Sequence, residues 1–449
     1  MLASRRTTMK VGLGVGILGA ALGFLSGPLA ADSGSQESPP EATTEARSVV
    51  REAASSGRTF LGLDPLRHRV EDGVTVADLS DGSTAVLTLD PGLQAHATEV
   101  LERYEVPYGA IVAIEPSSGR VLAYVSHSSA DPNATDMVLD PGPPTASVFK
   151  IITGAALVDA EVDPSESVCF HGGASRVRAS NLEDDPARDR RCATLGEAMG
   201  GSLNCVFAKL ADRNLDPMTL ERTASAFGFG ETLPFDVPTR ISPMEVPTER
   251  LEFARTAAGF WHMHMSPLHG ALIAATIASG GEMPRALLVD QVIDHDGGVS
   301  YQAEPETFRR VISTETATQV GELMRNTVRR GGTARRHFFD RRGNAFLPGI
   351  DVAGKTGTLN GSDPYREYSW FVGFAPAEAP TIAVAALVVN EPRWRIKGAF
   401  AAREALRYYL VQRPREQRRM AREAEQEEAR RAEQAEQEAA AAETAVATP

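Results

Sequence analysis

Pro141-Gly142-Pro143-Pro144-Thr145-Ala146-Ser147-Val148-Phe149-Lys150 sets a cluster of structure breakers just ahead of a serine and a lysine. A helix opening at Ser147 and running to about Ala160 carries Lys150 one turn on, on the same face as the serine. A serine hydroxyl is a poor nucleophile until a neighbouring base takes its proton. A lysine can be that base only where desolvation or nearby positive charge draws its pKa toward neutrality, and a helix N-terminus adds positive potential at the same place. Taken alone, the pattern is better explained as a surface lysine after an N-cap serine.

Two further stretches change that balance. Gly200-Gly201-Ser202-Leu203-Asn204 lies within a helical pattern from Thr194 to Arg213, and the glycine pair fits a bend that exposes Ser202 and Asn204 between two helices. Ser202 can pass a proton toward a leaving amine, while Asn204 can bond a substrate amide and hold Lys150 in place. By itself Ser202 is better explained as the N-cap of a helix over 205–213. Lys355-Thr356-Gly357-Thr358 continues a strand pattern, so Thr356 and Thr358 share a face suited to a carboxylate, and Lys355 points the other way, toward Ser202. Gly357 clears a side chain where a peptide lies close to the strand. The backbone N–H groups of Ser147 and Thr358 suit an oxyanion hole. A polar turn ending a strand would explain the third stretch alone, but not the three together.

Working outward, Ala110–Glu115 and Arg120–Val125 flank Pro116-Ser117-Ser118-Gly119, a hairpin signal. Strand patterns return only at Asp351–Thr358, Ser369–Phe374 and Thr381–Val389, with helical patterns at Ser147–Ala160, Thr194–Arg213 and Pro267–Ser279 between them. A sheet begun early and completed late implies an α+β fold. The expectation is an antiparallel sheet flanked by helices, with an inserted all-helical subdomain and the active site at their seam.

Composition narrows the chemistry. A net charge of −13 speaks against a nucleic-acid partner, since phosphate backbones demand a basic face. Only five of the 46 basic residues are lysines: Lys10, Lys150, Lys209, Lys355 and Lys397. Arginine does not give up its proton, so each of these lysines merits separate scrutiny. Cys169 and Cys192 can pair if the domain is exported, although spacing does not establish the bond; Cys205, in an apolar helical pattern, reads as a buried free thiol. His262 and His264 have no further ligands clustered with them, so no metal is expected.

The ends of the chain differ from its body. Arg5, Arg6 and Lys10 precede an uncharged run from Val11 to Ala31, long enough to span a bilayer and oriented to leave everything after it outside. Residues 1–31 are thus expected to be an anchor or export signal, with an uncleaved inner-membrane anchor preferred; SRRTTMK loosely resembles a twin-arginine signal. Residues 32–73 read as a linker, 74–412 as the globular domain in the periplasm, and 413–449 as a charged tail, helical or disordered.

S-x-x-K, S-x-N and K-T-G-T in this order resemble the motif set of the penicillin-binding-protein transpeptidase domain. The likeness runs from about Leu87 to Leu410. LTLDPGLQAHATEVL, GAIVAIEPSSGRVLAYVS, FGFG at Phe227–Gly230, SPLHGALIAATIASGG from Ser266, GGTA at Gly331–Ala334 and SWFVGFAP from Ser369 look like recurring stretches of that family. The resemblance implies a D-alanyl-D-alanine donor, an acyl-enzyme on Ser147 and cross-linking to an amine on a neighbouring peptidoglycan stem. It also implies covalent inhibition by β-lactams, no cofactor, and other cell-wall synthesis proteins as partners. Ser147, Lys150, Ser202, Asn204 and Lys355 would be catalytic, with Thr356, Gly357 and Thr358 binding substrate. Two positions depart: Thr145-Ala146 replaces the Pro-Gly common before the serine, and His269 replaces a glutamine. Neither removes a reacting group. The segment before the domain is too short for a glycosyltransferase, so a monofunctional enzyme is expected. Water resolving the same acyl-enzyme would make a D,D-carboxypeptidase or β-lactamase. A non-catalytic wall-binding or β-lactam-sensing scaffold is the remaining alternative, and the five intact polar residues speak against it.

Overall fold

The computed structural model describes residues 59–172, 176–260, 262–362, 365–391 and 393–446. The anchor expected over 1–31 lies outside them, and among the described residues no helix is long and apolar enough to cross a membrane. Chain expected to be linker is already folded at its end. β1 (Arg69–Glu71) pairs with β2 (Val74–Asp78), which pairs with β3 (Thr84–Leu87), and the Phe60 N–H donates to the Asp236 carbonyl at 3.0 Å.

After β3 comes α1 (Pro91–Arg103), opened by Asp90, whose side chain accepts from the Leu93 N–H, with Pro91 in the first turn. The expected hairpin follows as β4 (Tyr108–Ile114) and β5 (Val121–His127). A long insertion then intervenes before β12 (Ala353–Ser362), β13 (Tyr365–Ala375) and β14 (Ile382–Asn390) complete the sheet. Strand order is β12-β13-β14-β4-β5, with every neighbouring pair antiparallel. All nine residues of β14 are buried, because both faces are covered. Period-two geometry divides its apolar run between two cores: Ala383, Ala385 and Leu387 join one, and Val384, Ala386 and Val388 the other.

The insertion supplies the helices that frame the site: α2 (Lys150–Asp159), α3 (Leu195–Gly201), α4 (Asn204–Asn214), α5 (Pro217–Ala226), α6 (Arg250–Ala257), α7 (Pro267–Ala278), α8 (Thr314–Arg325) and the short α9 (Arg335–Phe338). It is not wholly helical, which corrects the expectation. β6 (Val168–Phe170) and β7 (Arg191–Ala193) form a two-stranded ribbon, and β8 (Glu282–Pro284) pairs with β11 (Thr307–Arg310). β9 (Val289–Ile293) and β10 (Val299–Gln302) extend β1–β3 into a second five-stranded sheet. Strands this short, with one polar face, carry too few alternations to stand out in sequence.

Cys169 and Cys192 sit directly opposite one another across β6 and β7 and are disulfide-bonded, while Cys205 is a buried free thiol. Beneath the ribbon the wholly buried Lys209 donates to Asp184 at 3.0 Å and Asp189 at 2.9 Å, so this lysine is committed to structure. α10 (Gly398–Arg407) packs on the sheet beside α1. A π-helical turn, Tyr408–Gln412, leads into α11 (Arg413–Val446), where Glu427 and Arg431 meet at 3.2 Å as their spacing suggests.

Candidate active site

Ser147 lies in a tight turn, Ala146–Phe149, that runs straight into α2. The turn is pinned before the serine: Trp370 Nε1 donates to the Pro144 carbonyl at 2.9 Å, and the Thr145 N–H donates to the Met263 carbonyl at 2.8 Å. Ala146 has φ 49°, in the left-handed region that favours glycine. A side chain there costs about 1 kcal/mol. Two glycines press on the same turn. A Cβ on Gly259 would lie 2.4 Å from the Ala146 carbonyl oxygen, and one on Gly357 would lie 3.1 Å from that of Thr145. The missing side chain of Gly357 therefore lets β12 lie against the nucleophile's turn.

Lys150 opens α2 and is wholly buried. Its Nζ lies 2.9 Å from Ser147 Oγ and 2.7 Å from Asn204 Oδ1, and it also donates to the Ala258 carbonyl. The amide oxygen and the carbonyl can only accept. An uncharged amine satisfies both with its two N–H groups and turns its lone pair on the serine O–H. Burial, reinforced by the charge of Lys355, holds the Lys150 pKa well below the usual lysine value.

Ser202 and Asn204 owe their positions to a break in the helical pattern. α3 ends at Gly201, Ser202 takes a left-handed conformation (φ 54°, ψ 46°), and the Leu203 N–H turns back to the Ala198 carbonyl at 2.9 Å. Asn204 then starts α4. The pair thus divides its partners: Asn204 holds Lys150, while Ser202 Oγ accepts from Lys355 Nζ at 3.0 Å. Lys355 is wholly buried on β12 and also donates to the Thr356 carbonyl; burial draws its pKa down to about 7.

Thr356 and Thr358 face a cleft of about 400 Å³ whose wall also includes Ser147, Ser202 and Asn204. Thr333 joins them, its hydroxyl 2.6 Å from that of Thr356. Arg336, His337 and Lys397 line the same cleft, and among the described residues no carboxylate does. Sequence reasoning did not assign these four to the site. Thr333 lay in plain view in the GGTA stretch, and Lys397 was one of the five lysines.

Of the two departures, Thr145-Ala146 belongs to the nucleophile's turn, whereas His269 has structural partners. His269 is wholly buried, accepts from Ser242 Oγ and donates to the Phe227 carbonyl, both at 2.8 Å, and burial lowers its pKa to about 4. His264 bonds the Gly142 carbonyl, whereas His262 lies 3.5 Å from Glu252, so the two imidazoles serve different partners.

The family model described as "Penicillin binding protein transpeptidase domain" matches residues 109–407. The chain is 30% identical over 370 residues to the "Peptidoglycan D,D-transpeptidase PbpA" of Mycobacterium tuberculosis, covering 72% of this chain and 70% of that protein. Among solved structures it resembles the penicillin G acyl-enzyme complex of penicillin-binding protein A from M. tuberculosis, with TM-score 0.58 and 26% identity over 73% of this chain and 80% of that one. It also resembles the D,D-transpeptidase domain of a peptidoglycan glycosyltransferase from Eggerthella lenta, with TM-score 0.60 and 27% identity over 73% and 83% of the two chains. Motif order, the sheet with its inserted helices and these likenesses agree: the chain belongs to the penicillin-binding-protein transpeptidase family.

Proposed function

We propose that this chain is a serine D,D-transpeptidase that cross-links peptidoglycan stems through an acyl-enzyme on Ser147. The observation that carries the reading is Ser147 Oγ 2.9 Å from a buried lysine whose other contacts are acceptors. Lys150 takes the serine proton as Oγ attacks the penultimate D-alanine carbonyl. The N–H groups of Ser147 and Thr358 receive the oxyanion. Ser202, held by Lys355, returns a proton to the departing D-alanine, whose carboxylate rests on Thr356 and Thr358. β12 is the outermost strand, so its free edge can take the donor peptide as a further strand. β-Lactams enter the same path and stop at the acyl-enzyme.

The body acts outside the cytoplasm on this reading, tethered through residues 1–31. The Cys169–Cys192 bond supports an oxidising compartment. The charged helix α11 is left for a contact with other cell-wall proteins.

A stem-pentapeptide donor offered with an amine acceptor tests the outcome. The expected result is cross-linked product with release of D-alanine; free D-alanine with no adduct would identify a carboxypeptidase instead.

The two lysines set the pH dependence. Acylation by a β-lactam needs Lys150 uncharged, so its second-order rate constant falls as pH drops through that lysine's depressed pKa. It also needs Lys355 charged to attract the ligand carboxylate, so the constant falls again above about 7 as that proton leaves. Labelling rates should fall above about pH 7 and fall also on the acid side, as Lys150 regains its proton. A rate still climbing at the alkaline end would contradict these assignments.

A further inference from the structure

The end of the cleft beyond Thr356 carries two cations, Arg336 and Lys397, that act on one another, with the buried Glu367 near enough to Lys397 to offset part of its charge. Arg336 sits on α9, three residues after Thr333, and its Nε donates to the Nε2 of His337 at 3.3 Å. Lys397, just before α10, lies with its Nζ 4.5 Å from the centre of the Trp394 ring. Among the described residues neither Arg336 nor Lys397 reaches a carboxylate at ion-pair distance, and the cleft wall has none. Burial and the positive charges of Arg336, Lys397 and Arg403 keep His337 uncharged at neutral pH, its pKa lowered to about 4. It therefore accepts from Arg336 and leaves that guanidinium's remaining N–H groups to face the cleft. Repulsion of this kind is relieved by an anion.

In acylation that anion is supplied by the leaving group. D-Alanine departs as an amine with a carboxylate on the same carbon, and its carboxylate rests on Thr356, within the same cleft as Arg336 and Lys397. The incoming acceptor must then place its nitrogen where the D-alanine nitrogen was. An acceptor with the same grouping can reuse the cationic pocket; a plain side-chain amine such as that of lysine cannot.

We propose that Arg336 and Lys397, with Thr333 and Thr356, select an acceptor whose attacking amine shares its carbon with a carboxylate, as in a diaminopimelate-type stem. This rests on the transpeptidase reading and specifies the substrate that the reading leaves open. In the step, the amine lone pair forms a C–N bond to the Ser147 ester carbon. The nitrogen loses one proton to Lys150, the C–Oγ bond breaks, and that proton returns to Oγ, so an amide and free Ser147 are formed. No oxidant or further reactant enters.

The test separates acceptor choice from donor binding. An N-acyl-D-alanyl methyl thioester acylates the full-length protein without presenting a carboxylate on its leaving group. D-Alanine or D-alaninamide then competes with water, each at equal free-amine concentration, and the ratio of amide to acid is read. D-Alanine should give at least ~10-fold more amide per free amine, the discrimination expected of a charge-assisted hydrogen bond. Meso-diaminopimelate should outdo lysine in the same sense. In Arg336→Gln the D-alanine advantage should shrink several-fold; the ratio is taken within one acyl-enzyme, so a slower acylation does not disturb it. Equal ratios for acid and amide in the wild-type protein would overturn the proposal, whatever the variant's folding. An advantage undiminished in a folded Arg336→Gln would overturn the role of that arginine. Failure of both the thioester and a fluorescent penicillin to acylate would defeat the transpeptidase reading itself, and this proposal with it.

Discussion

Ser147→Ala is expected to fold as the wild type does and to take no covalent label from a fluorescent penicillin. The hydroxyl bears little of the structure's load. Its hydrogen-bond partner in the structure is Lys150, which keeps Asn204 and Ala258 when the oxygen is gone. The turn around it is set by Pro144, Thr145 and the backbone of Ala146, none of which changes. Loss of a nucleophile from a cooperating set costs on the order of 10⁶-fold in turnover where it has been measured. Gel fluorescence against the wild-type protein, with a thermal melt as the folding control, checks it. Label retained by the variant would mean that another residue carries the acyl group.

Lys150→Met should leave the nucleophile in place yet slow its acylation by ~10²–10⁴-fold, the usual contribution of a positioned base. The substitution also strands two buried acceptors, Asn204 Oδ1 and the Ala258 carbonyl, at ~1–3 kcal/mol each. A lower melting temperature is therefore part of the expectation. Lys150→Arg separates the two effects, because a guanidinium can still donate to both acceptors but cannot give up its proton. It should be as slow as the methionine variant while recovering part of the stability. Acylation by Lys150→Arg within about tenfold of wild type would remove the general-base role from this residue.

Much of this site could be read from the chain because its chemistry requires particular residues at particular spacings. The serine and lysine one turn apart, and the alternation of Lys355 with Thr356 and Thr358, follow from helix and strand periodicity alone. The hairpin β4–β5 and the strands β13 and β14 were legible for a similar reason: they hold apolar runs between clear turns. What escaped depends on meetings across the chain. β1–β3 joins β9–β10 over some two hundred residues, and each strand is too short to show its period. Nothing local to Arg336 or Lys397 says that both reach the cleft of Ser147. Lysine scarcity flagged Lys209 as readily as Lys150, although only burial beside two aspartates tells a structural lysine from a reactive one. The contact of Gly357 with the turn of Ser147 was not legible either, because alternation gives the face of a residue but not what lies against it.

The strand order has a consequence for the life of the molecule before it is an enzyme. β4 is made early and finds its partner β14 only after the whole insertion and β12–β13 have emerged. Closing so long a loop is slow, and pairings of this separation come late in folding. The reactivity of Ser147 hangs on that closure, since Lys150 sheds its proton only when walled away from water. A nascent or half-exported chain therefore holds an ordinary serine and two ordinary ammonium groups. The chain becomes reactive last, once it is whole and, on the proposed localisation, already across the membrane.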